Sequence, residues 1–497
     1  MLTYQSIIDQ IKSGQFAGAA SPFVKIYPQS LTELDGATLL MVRTENGKRL
    51  LAVGNGPIVG ELEGEPAEGG KLAPLTHANR LVLNRYLPYT APQAFGTKIA
   101  TFGLGDRLGE ASPGHIRTVL GKDVRPILAQ QSIRELALTG RTYEDVLDAA
   151  CFAVFQEGYK DGFGADGDHL KKEEDIEYAL RLGFTMLTLD CSENIDNSIA
   201  RLSASELEER YAQLPEAIRQ GYEERYLATS PQIADAKLNF TREELVRDVL
   251  IYHEAINFME HIYRKYIEQL NGAVDFEISI DETETPTSPE AHFLVANELY
   301  VRGIQIYSMA PRFCGEFQKG IDYIGDIAQF ERELQAHAAI ADHFGYKLSI
   351  HSGSDKFSVF QLIGQYTKGR FHVKTAGTNW LEAVRVVAKV APSLYRRMHQ
   401  HALDHFEEAT AYYHVTTDIS AIRPLAETSD AELPEYMNEN NARQLLHITY
   451  GILLQAKDEK GGKLFADEFF AVLNEYEEQY AEGLGVHIGK HLSLLGK

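Results

Sequence analysis

The stretch FGADGDHLKKEEDIEYALRLG, Phe163 to Gly183, carries the decision about the fold. It reads as a short strand that runs into Asp166, Asp168 and His169 and then turns into an amphipathic helix closed by a glycine. A strand followed at once by a helix is the repeating unit of a parallel sheet covered by helices. The unit recurs from residue 98 onward, with strands expected at 98–106, 124–132, 163–170, 184–192, 273–282, 304–311, 346–354 and 371–378. Eight strand–helix units predict an α/β protein built on a (β/α)8 TIM-type barrel rather than an open sheet. Helical periodicity supports the count. In AQFERELQAHAAIADHFG, Phe330, Leu334, Ala338 and Ala341 fall near helical spacing before Gly345, which should stop the helix.

Three pieces exceed a minimal barrel, taken as residues 98–390. Residues 1–97 read as a β-rich N-terminal cap, with Asn46-Gly47 as a hairpin turn between two apolar strands. Residues 193–272 read as a helical insertion on the active-site side, with Ser203 as an N-cap. Residues 391–497 read as a helical C-terminal extension. No repeat or low-complexity linker cuts the chain into separately folding units.

Composition narrows the function. The 497 residues carry 48 basic and 71 acidic side chains, a formal charge of −23. That field repels phosphodiester backbones and anionic lipid, and no Lys/Arg-rich run overrides it, so neither nucleic acid nor a membrane is an expected partner. The segment MLTYQSIIDQIKSGQF lacks the features of a signal peptide, and no window approaches the roughly eighteen apolar residues of a span. A cytoplasmic protein is expected. Cys151, Cys191 and Cys314 are odd in number and far apart, which argues against a disulfide framework and a cysteine-rich zinc site. A metal would need His and carboxylate ligands.

Functional groups in a barrel come from the C-terminal ends of the strands. Here those ends carry Asp166, Asp168 and His169; Asp190; Asp281 and Glu282; and His351, Ser352 and Asp355. The loop after strand six adds Arg312, Glu316 and Lys319, and strand eight adds Lys374. Imidazole and carboxylate converging on one mouth suit a divalent Zn, Mn, Ni or Co ion. His169, Glu316 and His351 are the expected ligands, with Asp168, Asp281 and Glu282 left for acid–base work. Alternation puts Lys347, Ser349 and His351 on one face, and Glu277, Ser279 and Asp281 on another, both facing inward. Glu277 reads best as part of a polar pair inside the barrel. Arg312, Lys319, Ser352, Asp355 and Lys374 are candidates for substrate contacts, although Lys374 reads equally well as a salt-bridged barrel lysine. The glycine turns of HSGSDK and KTAGT can hold an anion through backbone N–H groups.

One motif points elsewhere. TFGLGDRLGEA, with Gly103, Gly105 and Gly109, nearly matches a dinucleotide fingerprint. It has one residue too many before the last glycine, and Asp106 and Arg107 occupy the turn where a pyrophosphate would approach. A glycine-rich barrel loop is the better reading, and no NAD is expected.

GADGDHLK, SIDETETPTSP, RFCGEFQKGIDYIGD, LSIHSGSDKFSVF and VKTAGTNWLEAVR together resemble the tagaturonate epimerase family, most closely over about residues 98–390. The resemblance implies a metal-dependent isomerase of hexuronate breakdown that interconverts the keto-hexuronates tagaturonate and fructuronate, with relatives acting on tagatose and fructose. The small-molecule partner would be a keto-sugar acid. These two sugars differ at the hydroxyl carbon β to the ketone, whose hydrogen is not acidic, so retro-aldol cleavage and re-addition is the expected route. Asp168 or Glu282 would carry the hydroxyl proton, and Arg312, Lys319 or Lys374 would face the distal carboxylate. Two other readings fit the same mouth: a class II aldolase of a phosphorylated ketose, which would want more basic groups near strands seven and eight, and a sugar-binding protein without turnover.

Overall fold

The eight expected strands close into one parallel barrel: Thr101–Gly103, Arg125–Ser132, Gly164–Leu170, Met186–Asp190, Asp275–Ile280, Ser308–Pro311, Lys347–Ile350 and Phe371–Lys374. They run in sequence order, and the eighth pairs with the first through His372 and Thr101. The architecture is that of a computed structural model describing residues 4–14, 23–233 and 236–497. Parts of the cap (1–3 and 15–22) and of the insertion (234–235) lie outside the described residues.

Alternation decides which side chains fill the barrel. Phe276, Ile278 and Ile280, like Leu348 and Ile350, are buried apolar residues that belong to the main hydrophobic core. The opposite faces fill the interior with polar groups instead. At its lower end Lys347 donates to the Ile99 carbonyl (2.9 Å) and to Thr101 Oγ1 (3.1 Å), and Thr101 contacts His372 Nδ1 at 2.9 Å. Above them Lys374, Asp166, Thr188, Glu277 and Ser308 form a fully paired layer. Buried charge is tolerable only with such partners.

The outer helix Ile327–Phe344 stops at Gly345, whose φ of 84° is the left-handed turn expected there. The cap contains a five-stranded antiparallel sheet in which Ala37–Thr44 and Gly47–Gly54 pair from Thr44↔Gly47 upward. Its apolar face packs on Phe152 and Phe155 of the helix Tyr143–Gln156. In the insertion Ser203 stands before the helix Ala204–Ala212, its N–H donating to the Glu206 carboxylate at 2.8 Å. The C-terminal helices build a second core around Trp380, Tyr395, Leu445, Phe469 and Leu484. That core seats the helices Asn440–Ile448 and Glu477–Leu494 against the loops after strands six, seven and eight. Among the described residues no helix is long and apolar enough to cross a membrane.

Candidate active site

Strand three ends with a local device. Its register with strand four slips between Gly167 and Leu170, and His169 adopts φ 53°, an uncommon conformation for a residue other than glycine. The bulge lets the adjacent residues Asp168 and His169 both face the mouth, where regular alternation would turn one away. After strand seven Ser352 adopts φ 50° and lines the same cavity as His351.

These residues line a cavity of about 420 Å³ at the C-terminal end of the barrel. Asp168, His169, Asp281, Glu282, Lys319, His351, Ser352 and Lys374 all contribute to its wall. The His169 and His351 rings stand edge to face with centroids 5.0 Å apart. His169 Nδ1 lies 3.3 Å from Asp190 Oδ2, and ligand atoms of His169, Asp190 and Glu282 all fall within 4.8 Å of one another. His351 Nε2 meets Glu277 Oε1 at 2.8 Å. Its Nδ1 lies 3.2 Å from Asp281 Oδ2, within ion-pair distance.

Lys374 sits at the base, with Nζ 2.9 Å from Asp166, 2.7 Å from Asp168 and 2.9 Å from Glu277. Its ammonium is therefore committed to carboxylates within the barrel. Burial alone would raise the Asp168 carboxyl, but Lys374, helped by His169 and His351, outweighs it and holds this group well below the usual carboxylate range. Asp166, more deeply enclosed and repelled by Asp168 and Glu277, is pushed up to about 6 despite Lys374. Burial works against a charged His351, yet Asp281 and Glu277 raise it to about 10. Carboxylates that pull protons onto buried imidazoles mark a mouth with an excess of negative charge, which a cation would relieve.

Three expected site residues stand elsewhere. Glu316 and Arg312 line an adjoining cavity of about 400 Å³ that shares Asp281, Glu282, His351 and Ser352 with the first. The loop after strand six folds back through a Glu316–Ile324 backbone bridge, which keeps the Glu316 carboxylate beside Gln318 and 3.6 Å from His414, apart from His169. Asp355 (φ 65°) is buried and faces the C-terminal helices, 2.8 Å from Arg443 and 2.6 Å from His487. Other wall residues were not among the expected site: Asp190, Arg107, Gln130, Glu135 and His447. Asp190 was visible as a strand-end carboxylate. His447 comes from a helix far outside the barrel repeat, and no local pattern marks it.

The chain matches the tagaturonate epimerase family over residues 27–495. It belongs to that family. Family membership makes the chain an epimerase and places the cavity at the mouth of an enzyme barrel. The tagaturonate/fructuronate epimerase of Thermotoga maritima is 41% identical over 476 residues, covering 95% of this chain and 97% of that one. A glycerol-complexed crystal structure of the fructuronate-tagaturonate epimerase of Cohnella laeviribosi is 65% identical, covers 99% of both chains and superposes with a TM-score of 0.94. The native crystal structure of the same protein matches at 64% identity, 99% coverage of both chains and a TM-score of 0.94.

Proposed function

We propose that this epimerase interconverts D-tagaturonate and D-fructuronate with the help of a divalent metal ion, by breaking and remaking a carbon–carbon bond. The observation that carries the metal reading is the donor set: His169, Asp190 and Glu282 within 4.8 Å of one another, with the His351 ring beside His169. Nitrogen and oxygen donors without thiolate fit Zn, Mn, Ni or Co. His169, Asp190 and Glu282 would hold the ion. Bound there, it would supply Lewis-acid polarisation of the ketone and of the charge that develops on cleavage.

The remaining steps belong to the chain. Asp168 Oδ1 is taken by Lys374 at 2.7 Å, which leaves Oδ2 as the oxygen to receive the proton of the β-hydroxyl. As that proton leaves, the bond between the α and β carbons breaks. Its electron pair passes into the ketone fragment, and the β carbon becomes an aldehyde. Lys374, through its contact with Oδ1, holds the Asp168 carboxylate in place at the mouth. The aldehyde turns its other face, the bond reforms, and Asp168 returns the proton to the new hydroxyl. The cavity walls hold both fragments during the turn.

Metal-loaded protein incubated with tagaturonate should yield fructuronate, read by NMR of the sugars. No sugar but tagaturonate at the end would refute the activity. Deuterium on the inverting carbon should survive turnover in ordinary water, and the purified protein should contain no nicotinamide. Loss of the label, or stoichiometric bound NAD, would overturn the cleavage route while leaving the substrate assignment intact.

A further inference from the structure

On another part of the cavity wall the charge balance reverses. Lys319 hydrogen-bonds Ser352 Oγ at 3.0 Å and has no carboxylate in hydrogen-bond contact. Burial lowers its pKa, with Glu135 and Glu282 opposing and Arg107 and Arg134 adding to the effect. Arg107 is 2% exposed and stacks on Tyr450 at 4.2 Å. It gives two of its nitrogens to Glu135, while Nη1 has no partner. His447 is 1% exposed and lines the same wall with both ring nitrogens unpartnered. Unsatisfied buried donors are costly and call for an explanation.

Two further features converge there. The helix Thr378–Val390 begins at Gly377 without a side-chain cap, so its first N–H groups and positive dipole end lie at the cavity. A Cβ at residue 377 would collide with the His447 ring, and Gly320 (φ 77°) would place one 3.3 Å from His447 Nδ1. The sequence keeps both positions small where the imidazole enters. The helix Asn440–Ile448 that carries His447 is itself fastened to this wall, Arg443 donating to the Gly320 carbonyl at 2.7 Å and Gln444 to the Lys319 carbonyl at 3.3 Å.

We infer that this part of the cavity wall is the seat of the sugar's carboxylate, held by Lys319, Arg107 Nη1, the helix start at Gly377 and a neutral His447 supplied by the C-terminal extension. The inference rests on the keto-hexuronate reading above and adds where the acid group sits and which residue outside the barrel helps to select it. His447 stays uncharged because burial, together with Arg107 and Lys319, lowers its pKa far below the ordinary histidine value. It donates through one ring N–H rather than as a second cation.

The test uses the full-length, metal-loaded protein and two sugars without a ketone: galactonate, which has the carboxylate, and galactitol, which lacks it. By titration calorimetry the wild type should bind galactonate at least about tenfold more tightly. A charged hydrogen bond contributes about 1.5–3 kcal/mol, so Lys319→Gln should cut that preference about tenfold or more. His447→Gln should cut it about threefold, and Lys319→Arg should retain most of it. Circular dichroism reports the fold of each variant, and Lys319→Met replaces Lys319→Gln if that variant is unfolded. Preference kept in the folded Lys319 and His447 variants overturns the inference. A wild type that fails to prefer galactonate, or does not bind it, overturns it as well. Because the readout is binding, a wild type that prefers galactonate yet leaves tagaturonate unchanged would refute the proposed reaction and not the carboxylate seat.

Discussion

Two sets of residues on the cavity wall follow opposite rules. At the strand tips the buried charges are paired with one another: Lys374 with Asp166, Asp168 and Glu277, His351 with Glu277 and Asp281, and His169 with Asp190. In the other set Arg107 and His447 keep donors without acceptors, and Lys319 has only a hydroxyl. A self-paired network ties function to folding, since removing one member leaves others uncompensated in low dielectric. An unpaired set leaves its binding free energy to the ligand. Substitutions should therefore split, strand-tip changes affecting both stability and turnover and changes in the other set affecting recognition.

The largest effect is expected where the strand tips meet the metal. His169→Ala and Asp190→Ala should each lower turnover by more than ~100-fold and reduce metal content by elemental analysis, while circular dichroism stays that of the wild type. Full metal occupancy in both variants would break the assignment of this end.

Lys374→Met tests the self-paired rule itself. Breaking a buried ion pair by removing one partner costs about 3–5 kcal/mol, and three carboxylates here lose their shared cation. Without it their folded-state pKa values rise above the unfolded values of roughly 4. Stability of the variant then falls as pH climbs from there through the raised values. Urea unfolding should show a larger deficit against wild type at pH 8 than at pH 5. A deficit independent of pH would mean that packing, not charge, dominates at this lysine.

Asp355 offers a smaller effect, because its partners lie outside the cavity. Burial would raise this carboxyl, but Arg443 and His487 hold it far below its usual range. Its stabilisation is thus present above about pH 4, the unfolded value, and is lost on acidification toward the folded one. Asp355→Asn should cost about 1.5–3 kcal/mol at pH 7 and lose less on going from pH 6 to pH 3 than the wild type does. Turnover should fall by only a fewfold, since Asp355 steadies the loop of His351 and Ser352 without touching the cavity.

How much of this was legible depends on whether a residue's role is local in sequence. The eight strands, the stop at Gly345 and the inward faces of strands five and seven follow from periodicity and turn chemistry, which act over a few residues. Asp168, Asp281 and His351 share one wall because alternation along their strands already fixes direction, whereas His169 joins them only through the register slip after Gly167. Glu316 and Asp355 lie further along the loops that follow their strands, where alternation no longer fixes direction. Their side chains are turned by a backbone bridge to Ile324 and by Arg443, contacts that no local pattern encodes. His447 and Arg107 were hidden for the same reason, their task being set by tertiary packing of the C-terminal helices.

The smallest effect should come from a region outside both sets. Gly47 closes the cap hairpin at φ 95°, a conformation that disfavours any side chain. Gly47→Ala should destabilise the protein by about 1 kcal/mol, seen as a small drop in urea midpoint, with turnover unchanged. The neighbouring Lys48 makes this more than a control. Its ammonium lies 3.3 Å from Glu477, at the start of the helix Glu477–Leu494. That helix carries His487 and His491, which reach Asp355 and the loop behind His351. If turnover falls together with stability, strain in the cap is reaching the mouth along this helix, and the division between strand tips and outer helices is less complete than the charges suggest. If only stability falls, the cap contributes to folding alone, and the C-terminal helix acts on the mouth through its local contacts with Asp355.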